Sequence, residues 1–230
     1  FGSSHRIHPR GGGRGAPCRA MAPTKAELLA KIEAGDWEDR RASLEALGRL
    51  DDARGDAEML ALAASKLEDA DCLVRRAAMT TLVRLTLPDE AAPSLALAVA
   101  RLGDDNWGVR RVALAAVGQL ATHGDAAALA AVVPHLADAD DDVRGAAAAA
   151  LGRIAHEGDA EVLGALEPLL EDDDEGVRKA VVAAYARVAS PGHSAALKLL
   201  LGIARGDEDD DVRRAATAGL QRLRAASADG

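Results

Sequence analysis

The sequence contains almost no aromatic residues: one Phe, one Tyr and two Trp make up 2% of its 230 residues. Apolar residues nevertheless account for 49% of the chain, so its core must be aliphatic and rich in Ala. Strands favour β-branched and aromatic side chains, which are sparse here, whereas Ala is the strongest helix former. The composition therefore predicts an all-α protein.

Cysteines and long apolar runs are equally scarce. Cys18 and Cys72 are the only cysteines, which excludes a disulfide framework and favours a reducing compartment. No apolar run approaches the roughly 20 residues that a membrane-spanning helix needs. We therefore expect a soluble, intracellular protein, in the cytoplasm, that does not insert into membranes.

Reactive motifs are missing as well. The sequence contains no phosphate-binding loop, no Ser/Cys–His arrangement, no zinc-ligand spacing and no calcium-binding loop. Ala-rich helices also contribute few reactive groups. We therefore expect no catalytic residue, no bound metal and no cofactor, and we interpret the protein as a non-enzyme.

Charge is unevenly placed along the chain. Residues 1–20 carry four Arg and no acid, whereas the remainder carries 24 basic and 37 acidic residues, a net charge of −13. A body this acidic is a poor match for a phosphate backbone, so nucleic acid is not an expected partner. We interpret residues 1–21 as a disordered basic tail. The alternative is the remnant of an organelle-targeting peptide, which would place the protein in a plastid.

What the sequence does contain is one pattern used six times. Its plainest copy is DADDDVRGAAAAALGRIA, residues 138–155. The Arg that follows the Val of the pattern, or Asp39 in the first copy, recurs at steps of 35, 35, 34, 34 and 35 residues. Its positions are Arg40, Arg75, Arg110, Arg144, Arg178 and Arg213. A fixed period of this length indicates one supersecondary unit stacked on itself.

Each unit contains two segments with apolar residues at helical spacing. In the fourth unit the two stripes are Leu129, Val132, Val133 and Leu136, and Val143, Ala147, Leu151 and Ile154. Short loops rich in Gly and Asp separate the units, as helix ends and helix caps require. Residues 22–226 are therefore predicted to form one domain, a right-handed α-solenoid of about six antiparallel helix hairpins. The predicted repeats are 22–52, 53–88, 89–123, 124–157, 158–191 and 192–226.

The pattern D-x-x-V-R-x-x-A-x-x-x-L-G resembles the HEAT repeat, in the short form named after phycobilin lyases. Pro134 and Pro168 match the proline that kinks the first HEAT helix, and the other four units lack it. The resemblance covers about residues 22–226. It implies that the second helices line a concave face, and that the Asp of each turn pairs with the Arg of the next unit.

One enzyme is built from similar repeats, the di-iron protein deoxyhypusine hydroxylase. In that family the iron ligands are His-Glu pairs directly after the V-R of the repeat. Here the corresponding dipeptides include Arg76-Ala77 and Arg111-Val112. The only His-Glu dipeptide, His156-Glu157, falls in a loop at another place in the repeat, so the resemblance does not extend to this chemistry.

Basic residues recur on the second helix of each unit. If its apolar stripe faces inward, the residue after the pattern's Arg points away from the core. That position is basic in five of the six units: Arg41, Arg76, Arg111, Lys179 and Arg214, with Gly145 as the exception. We interpret this basic row as a candidate partner-binding surface. Alternatively, its side-chain stems only cover apolar surface.

Trp37 and Trp107 occupy the same place in their repeats, two residues before the Val position. They are further candidates for partner contact, because Trp is common at binding hot spots. Alternatively, they pack onto the adjacent helix.

Acidic residues cluster in the turn before the second helix. The acidic edge, as we call these residues, comprises Asp140, Asp141, Asp142, Asp172, Asp173, Asp174, Asp209, Asp210 and Asp211. One or two acids per turn are enough to cap a helix, at about 1 kcal/mol per cap. We interpret the excess as solubilising charge, or as an edge that recruits a basic partner.

These features together predict a non-catalytic scaffold or adaptor that binds another protein along its concave face and acidic edge. The open array with an extended surface and no reactive group favours this interpretation. The alternative is a subunit that resembles bilin lyases, or a chaperone for a chromophore or phycobiliprotein. Membership of a large complex is a further expectation, and the sequence names no partner.

Overall fold

The computed structural model describes residues 23–225, and within that range it contains twelve α-helices and no β-strand. The helices are α1 (Lys25–Ala34), α2 (Trp37–Leu47), α3 (Ala57–Ser65), α4 (Cys72–Leu85), α5 (Ala91–Ala100), α6 (Trp107–Leu120), α7 (Ala126–Val132), α8 (Asp141–Ile154), α9 (Ala160–Leu166), α10 (Glu175–Val188), α11 (Ser194–Gly206) and α12 (Asp210–Ala225). The all-α prediction is confirmed over this range. The predicted tail, residues 1–21, lies outside the described residues.

Polar side chains start most of the helices, as the Asp-rich loops predict. The Asp140 carboxylate accepts a hydrogen bond from the Val143 amide at 3.3 Å, and Asp174 accepts one from Val177 at 2.9 Å. Asn106 takes the same role at the start of α6. Each cap satisfies an amide that has no partner inside the helix, which stabilises the helix by about 1 kcal/mol.

Two first helices are shortened by proline. After α7 and α9 the chain continues as 3-10 helices, Val133–Ala137 and Glu167–Glu171. Pro134 and Pro168 are the second residues of these segments. Proline has no amide hydrogen to donate and crowds the preceding turn, so the α-helix cannot pass through it. Pro134 and Pro168 thus lie where the first helix of their units changes from α-helix to 3-10 helix, and the kink that the resemblance implies stays a prediction.

The even-numbered helices form one layer and the odd-numbered helices the other. Each even-numbered, or inner, helix packs against the next inner helix and against its own hairpin partner. The odd-numbered, or outer, helices mainly contact their own partners, and an apolar groove of about 460 Å³ runs between α3 and α5. Because the inner layer is packed more closely than the outer one, the array curves toward it, and the inner helices line the concave face.

Small residues allow this close approach of the inner helices. A Cβ atom placed on Gly152 of α8 would lie 2.9 Å from both Cα and Cβ of Ala184 in α10. Gly118 of α6 meets Ala150 of α8 in the same way, at 3.0 Å from its Cα. A larger side chain at either glycine would push the backbones of adjacent repeats apart.

The core is aliphatic, as the composition predicts, with one aromatic member. Tyr185 of α10 is 1% exposed, and its hydroxyl donates a hydrogen bond to the Glu167 carboxylate at 2.9 Å. Burial raises the pKa of Tyr185 to about 12, and the hydrogen bond to Glu167 adds to this effect. The neutral phenol is therefore the form that the fold stabilises.

An Arg–Asp ladder joins successive repeats along one edge. Each rung pairs the Arg after the Val position with an Asp of the following turn: Arg40–Asp69, Arg75–Asp104, Arg110–Asp138, Arg144–Asp172 and Arg178–Asp207. The resemblance implied a pairing of each Asp with the Arg of the next unit, and this direction is wrong. Each Asp pairs with the Arg of the preceding unit, because that long side chain reaches forward across the helix interface.

One rung shows how the ladder is held. Nε and one Nη of Arg144 each donate to a different carboxylate oxygen of Asp172 at 2.9 Å. The other Nη donates to the Asp138 carbonyl at 3.1 Å, in the turn of its own repeat. The hydrogen bond from Arg144 lowers the pKa of Asp172 below its ordinary value of 3.8, against the opposing effect of burial. The rung is therefore an ionised, two-point contact between repeats.

Glycine amides join the repeats along the opposite edge. In four of the loops between repeats, a Gly amide donates to the carbonyl at the end of the inner helix that follows: Gly55, Gly124, Gly158 and Gly192, at 2.8, 2.7, 2.6 and 3.1 Å. Their φ angles lie between 72° and 81°, in the left-handed region that favours glycine. The loop glycines therefore connect repeats as well as ending helices.

Candidate partner-binding groove

The concave face holds two adjoining clefts. The N-terminal cleft, of about 370 Å³, lies between α2, α4 and α6. The C-terminal cleft, of about 730 Å³, lies between α6, α8, α10 and the start of α12. Val112 of α6 lines both clefts, so together they form one groove along the inner helices.

The structure divides the basic row between the two clefts. Arg41 and Arg76 line the N-terminal cleft, whereas Arg111 and Lys179 line the C-terminal cleft. Arg214 lies in a separate depression along α12. The side chains of the basic row therefore follow the groove but do not converge on a single site.

Three members of the basic row are neutralised by carboxylates. Arg41 donates to Glu45, one turn along α2, at 3.1 Å, and Lys179 donates to Asp211 at 2.7 Å. Arg214 contacts the same Asp211. Hydrogen bonds from Lys179 and Arg214 lower the pKa of Asp211 to about 2. The two members of the basic row in the last two repeats, Lys179 and Arg214, are thus already partnered within the protein.

The other two members, Arg76 and Arg111, make no ion pair with any residue in the described range. Their Nε atoms are buried and have no hydrogen-bond partner there. The stem of Arg76 lies against Gly108, where an added Cβ would come within 3.2 Å of the Arg76 Cδ. The Nε atom of each Arg is therefore covered by the fold, while the charge of the guanidinium group is left for a ligand.

The members of the acidic edge are alike in sequence but have different roles in the structure. Three of its members accept amide hydrogen bonds at the starts of inner helices: Asp140, Asp174 and Asp209. Asp172 belongs to the ladder, and Asp210 and Asp211 pair with basic residues of α12 or α10. Within residues 23–225, the exposed members that make no ion pair are Asp141, Asp142 and Asp173. Capping and pairing therefore account for most of the edge.

The first turns of the inner helices differ between the two halves of the groove. In the second half they bring acids into the C-terminal cleft: Asp141, Asp142, Glu175 and Asp211. In the first half, α2 and α6 begin with Trp37 and Trp107, which are 39% and 41% exposed, and no acid in the first turn of a described helix lines the N-terminal cleft. Both Trp residues are thus half-covered by the fold and half-presented to solvent, and the groove changes character at α6.

A second basic row escaped the sequence analysis. It lies eight residues after the first row: Arg49, Arg84, Arg153, Arg187 and Arg222, with Gln119 as the exception. Eight residues are slightly more than two turns, so both rows share one side of each inner helix. Arg49 and Arg84 accordingly line the N-terminal cleft. The signal was an Arg at the same place in five of six units.

Between residues 23 and 225, no group of three or more His, Cys, Asp or Glu side chains is arranged to hold a metal ion. None of the helices in that range is long and apolar enough to cross a membrane.

The fold defines the class of protein. Stacked helix hairpins with a closely packed inner layer and a fixed repeat form an α-solenoid of the HEAT and armadillo type. Residues 129–221 match the family model described as HEAT repeats. No curated protein sequence matches the chain.

Solved structures show the same architecture. A designed armadillo repeat protein in complex with the peptide (KR)4 is similar over 86% of this chain and 98% of its own, at 22% identity and a TM-score of 0.64. A second designed armadillo repeat protein has 23% identity and a TM-score of 0.61, over 86% and 98% of the two chains. An engineered protein has 21% identity and a TM-score of 0.63, over 86% and 96%. The solenoid prediction is confirmed.

Proposed function

We propose that this protein is a non-catalytic scaffold that binds another protein along its concave groove. The observation that carries the proposal is the groove itself, in which Arg76 and Arg111 are fixed by packing and keep their charge unpaired within the described residues. The Nε atom of each Arg is buried by the fold, whereas its terminal nitrogens make no hydrogen bond within the described residues and can donate to a ligand. Repeat solenoids use such extended concave surfaces for binding.

The structural comparisons support this kind of partner. One solved protein of the same fold holds a peptide, (KR)4. A peptide or protein segment is therefore a suitable occupant for a groove of this shape. Because the sequence lacks reactive motifs, we propose binding without catalysis. The bilin-lyase-like alternative, the acidic edge as a contact for a basic partner, and the cytoplasmic location stay predictions.

The test compares the wild-type chain with the double variant Arg76→Glu/Arg111→Glu. We expect affinity capture from the native source, followed by mass spectrometry, to recover a partner with the wild type and much less of it with the variant. The matched control is Arg54→Glu/Arg205→Glu, which makes the same charge change at exposed sites outside the two clefts. Equal recovery by all three proteins would mean that the groove is not the binding surface.

A further inference from the structure

The N-terminal cleft is unusual in having both basic rows. Arg41 lies in α2 and Arg49 in the turn directly after it, whereas Arg76 and Arg84 both lie in α4. The two members in α4 are eight residues apart, which corresponds to about 12 Å along the axis. Neighbouring inner helices lie about 9 Å apart. The four side chains therefore start from backbone positions about 12 Å apart along α4 and about 9 Å apart between neighbouring helices.

Only part of this positive charge is neutralised. Glu45 is the one carboxylate lining the N-terminal cleft, and it serves Arg41 at 3.1 Å and Arg49 at 3.9 Å. Arg76 and Arg84 make no ion pair inside the described range. This differs from the ladder, where every Arg pairs with a carboxylate and four of the five, Arg144 among them, do so through two nitrogens. The missing partner of the cleft is therefore an external anion.

The second half of the groove lacks this arrangement. There Lys179 is paired with Asp211, the Arg144 repeat has Gly145 in place of a base, and acids line the cleft. An anionic chain would meet repulsion from Asp141 and Asp142 in that half. The charge distribution therefore assigns an anionic ligand to the first half.

We propose that the N-terminal cleft binds an extended, acidic segment of the partner protein, with Asp or Glu at every third residue. An extended polyproline-type chain advances about 9 Å per three residues, which matches the spacing of neighbouring inner helices. Successive carboxylates can then each reach one Arg of successive repeats, and the planar fork of Arg suits carboxylates. A nucleic acid fits less well, because a long polyanion would continue into the acid-lined half. The inference rests on the proposed function and names the chemistry of its ligand.

Fluorescence anisotropy with labelled 12-residue peptides tests the inference on the full chain. The probes are a peptide with Glu at every third position and Ser or Pro between, the same peptide with Lys for Glu, and a single-stranded oligonucleotide of equal charge. We expect the Glu peptide to bind and the other two to bind at least about tenfold more weakly. Tighter binding of the oligonucleotide or of the Lys peptide, or no binding of the Glu peptide, overturns the inference.

Variants locate the site. Arg49→Glu/Arg84→Glu should weaken binding of the Glu peptide about tenfold or more, and Arg49→Gln/Arg84→Gln should weaken it less. The control Arg153→Glu/Arg187→Glu changes the same row in the second half and should alter affinity less than about threefold, with folding of each variant verified by circular dichroism. Equal losses in both double Glu variants, or none in either, would overturn the assignment.

Failure of this inference is distinguishable from failure of the proposed function. If Arg76→Glu/Arg111→Glu abolishes partner capture but the Glu peptide neither binds nor competes, the groove binds a partner of different chemistry. In that case the proposed function stands and the acidic segment is wrong. If capture does not depend on the groove at all, the proposed function itself fails.

Discussion

Two glycines on one helix provide a direct test of how closely the repeats are packed. Gly145 and Gly152 both belong to α8, and replacing either with Ala raises helix propensity by about 1 kcal/mol. A Cβ at Gly145 would lie 3.8 Å from the Ala180 Cβ, an ordinary contact. At Gly152 it would lie 2.9 Å from Cα and Cβ of Ala184, which cannot yield without a backbone shift.

The expected effects therefore have opposite signs. Gly145→Ala should increase the free energy of unfolding by about 0.5–1 kcal/mol. In Gly152→Ala the same gain is opposed by an overpacking cost of about 1–3 kcal/mol, so the variant should be less stable than the wild type or at best equal to it. Urea denaturation followed by circular dichroism measures both, and the slope with denaturant should stay unchanged.

A result in which both variants gain stability equally would refute this reasoning. It would mean that α8 and α10 leave room for a Cβ at Gly152, contrary to the 2.9 Å contact with Ala184, and that close packing of the inner helices does not depend on small residues. A gain for Gly145→Ala alone would support the packing described for the concave layer.

Two further predictions concern ionisation. Asp172→Asn should lower the free energy of unfolding by about 1–3 kcal/mol near pH 7, because the Arg144 and Asp172 side chains are only 19% and 11% exposed. The control Asp173→Asn, at an exposed position, should change it by less than about 0.5 kcal/mol. The folded pKa of Asp172 lies below its ordinary 3.8, so this stabilisation is present above pH 3.8 and is lost as pH falls through the folded pKa. If urea titrations showed the same difference in unfolding free energy between the wild type and Asp172→Asn down to pH 2, they would contradict the ladder. The absorbance of Tyr185 at high pH should report ionisation near pH 12 while the chain is folded, and stability should fall from about pH 10, where the unfolded phenol ionises. A transition near pH 10 in the folded chain would show that Tyr185 is not buried against Glu167.

The fold could be predicted from the sequence because the period repeats every local signal. The Arg after each Val, the Asp caps and the loop glycines recur at one spacing, so each copy supports the others. The direction of the ladder could not be predicted in this way. A spacing of 34 or 35 residues is the same toward either neighbour, and only the packed helices show that Arg144 reaches forward to Asp172.

The candidate site was predicted less completely than the fold. The first basic row followed from the apolar stripe of the second helix, but Arg49 and Arg84 were overlooked. Their place on the same face depends on an eight-residue offset, which becomes informative only when two rows are compared across neighbouring helices. The acidic edge was interpreted as one surface because its members look alike in sequence. Capping, ladder and ion-pair roles separate them only in three dimensions.

The glycine and alanine contacts between inner helices have a consequence for recognition. They determine the pitch of the solenoid, and every side chain on the concave face is repeated at that pitch. The spacing of the inner helices therefore fixes the distance between equivalent side chains of adjacent repeats. Enlarging Gly118 or Gly152 would lengthen the spacing between two inner helices of the second half of the groove, and so would displace the side chains on either side of it without changing any of them.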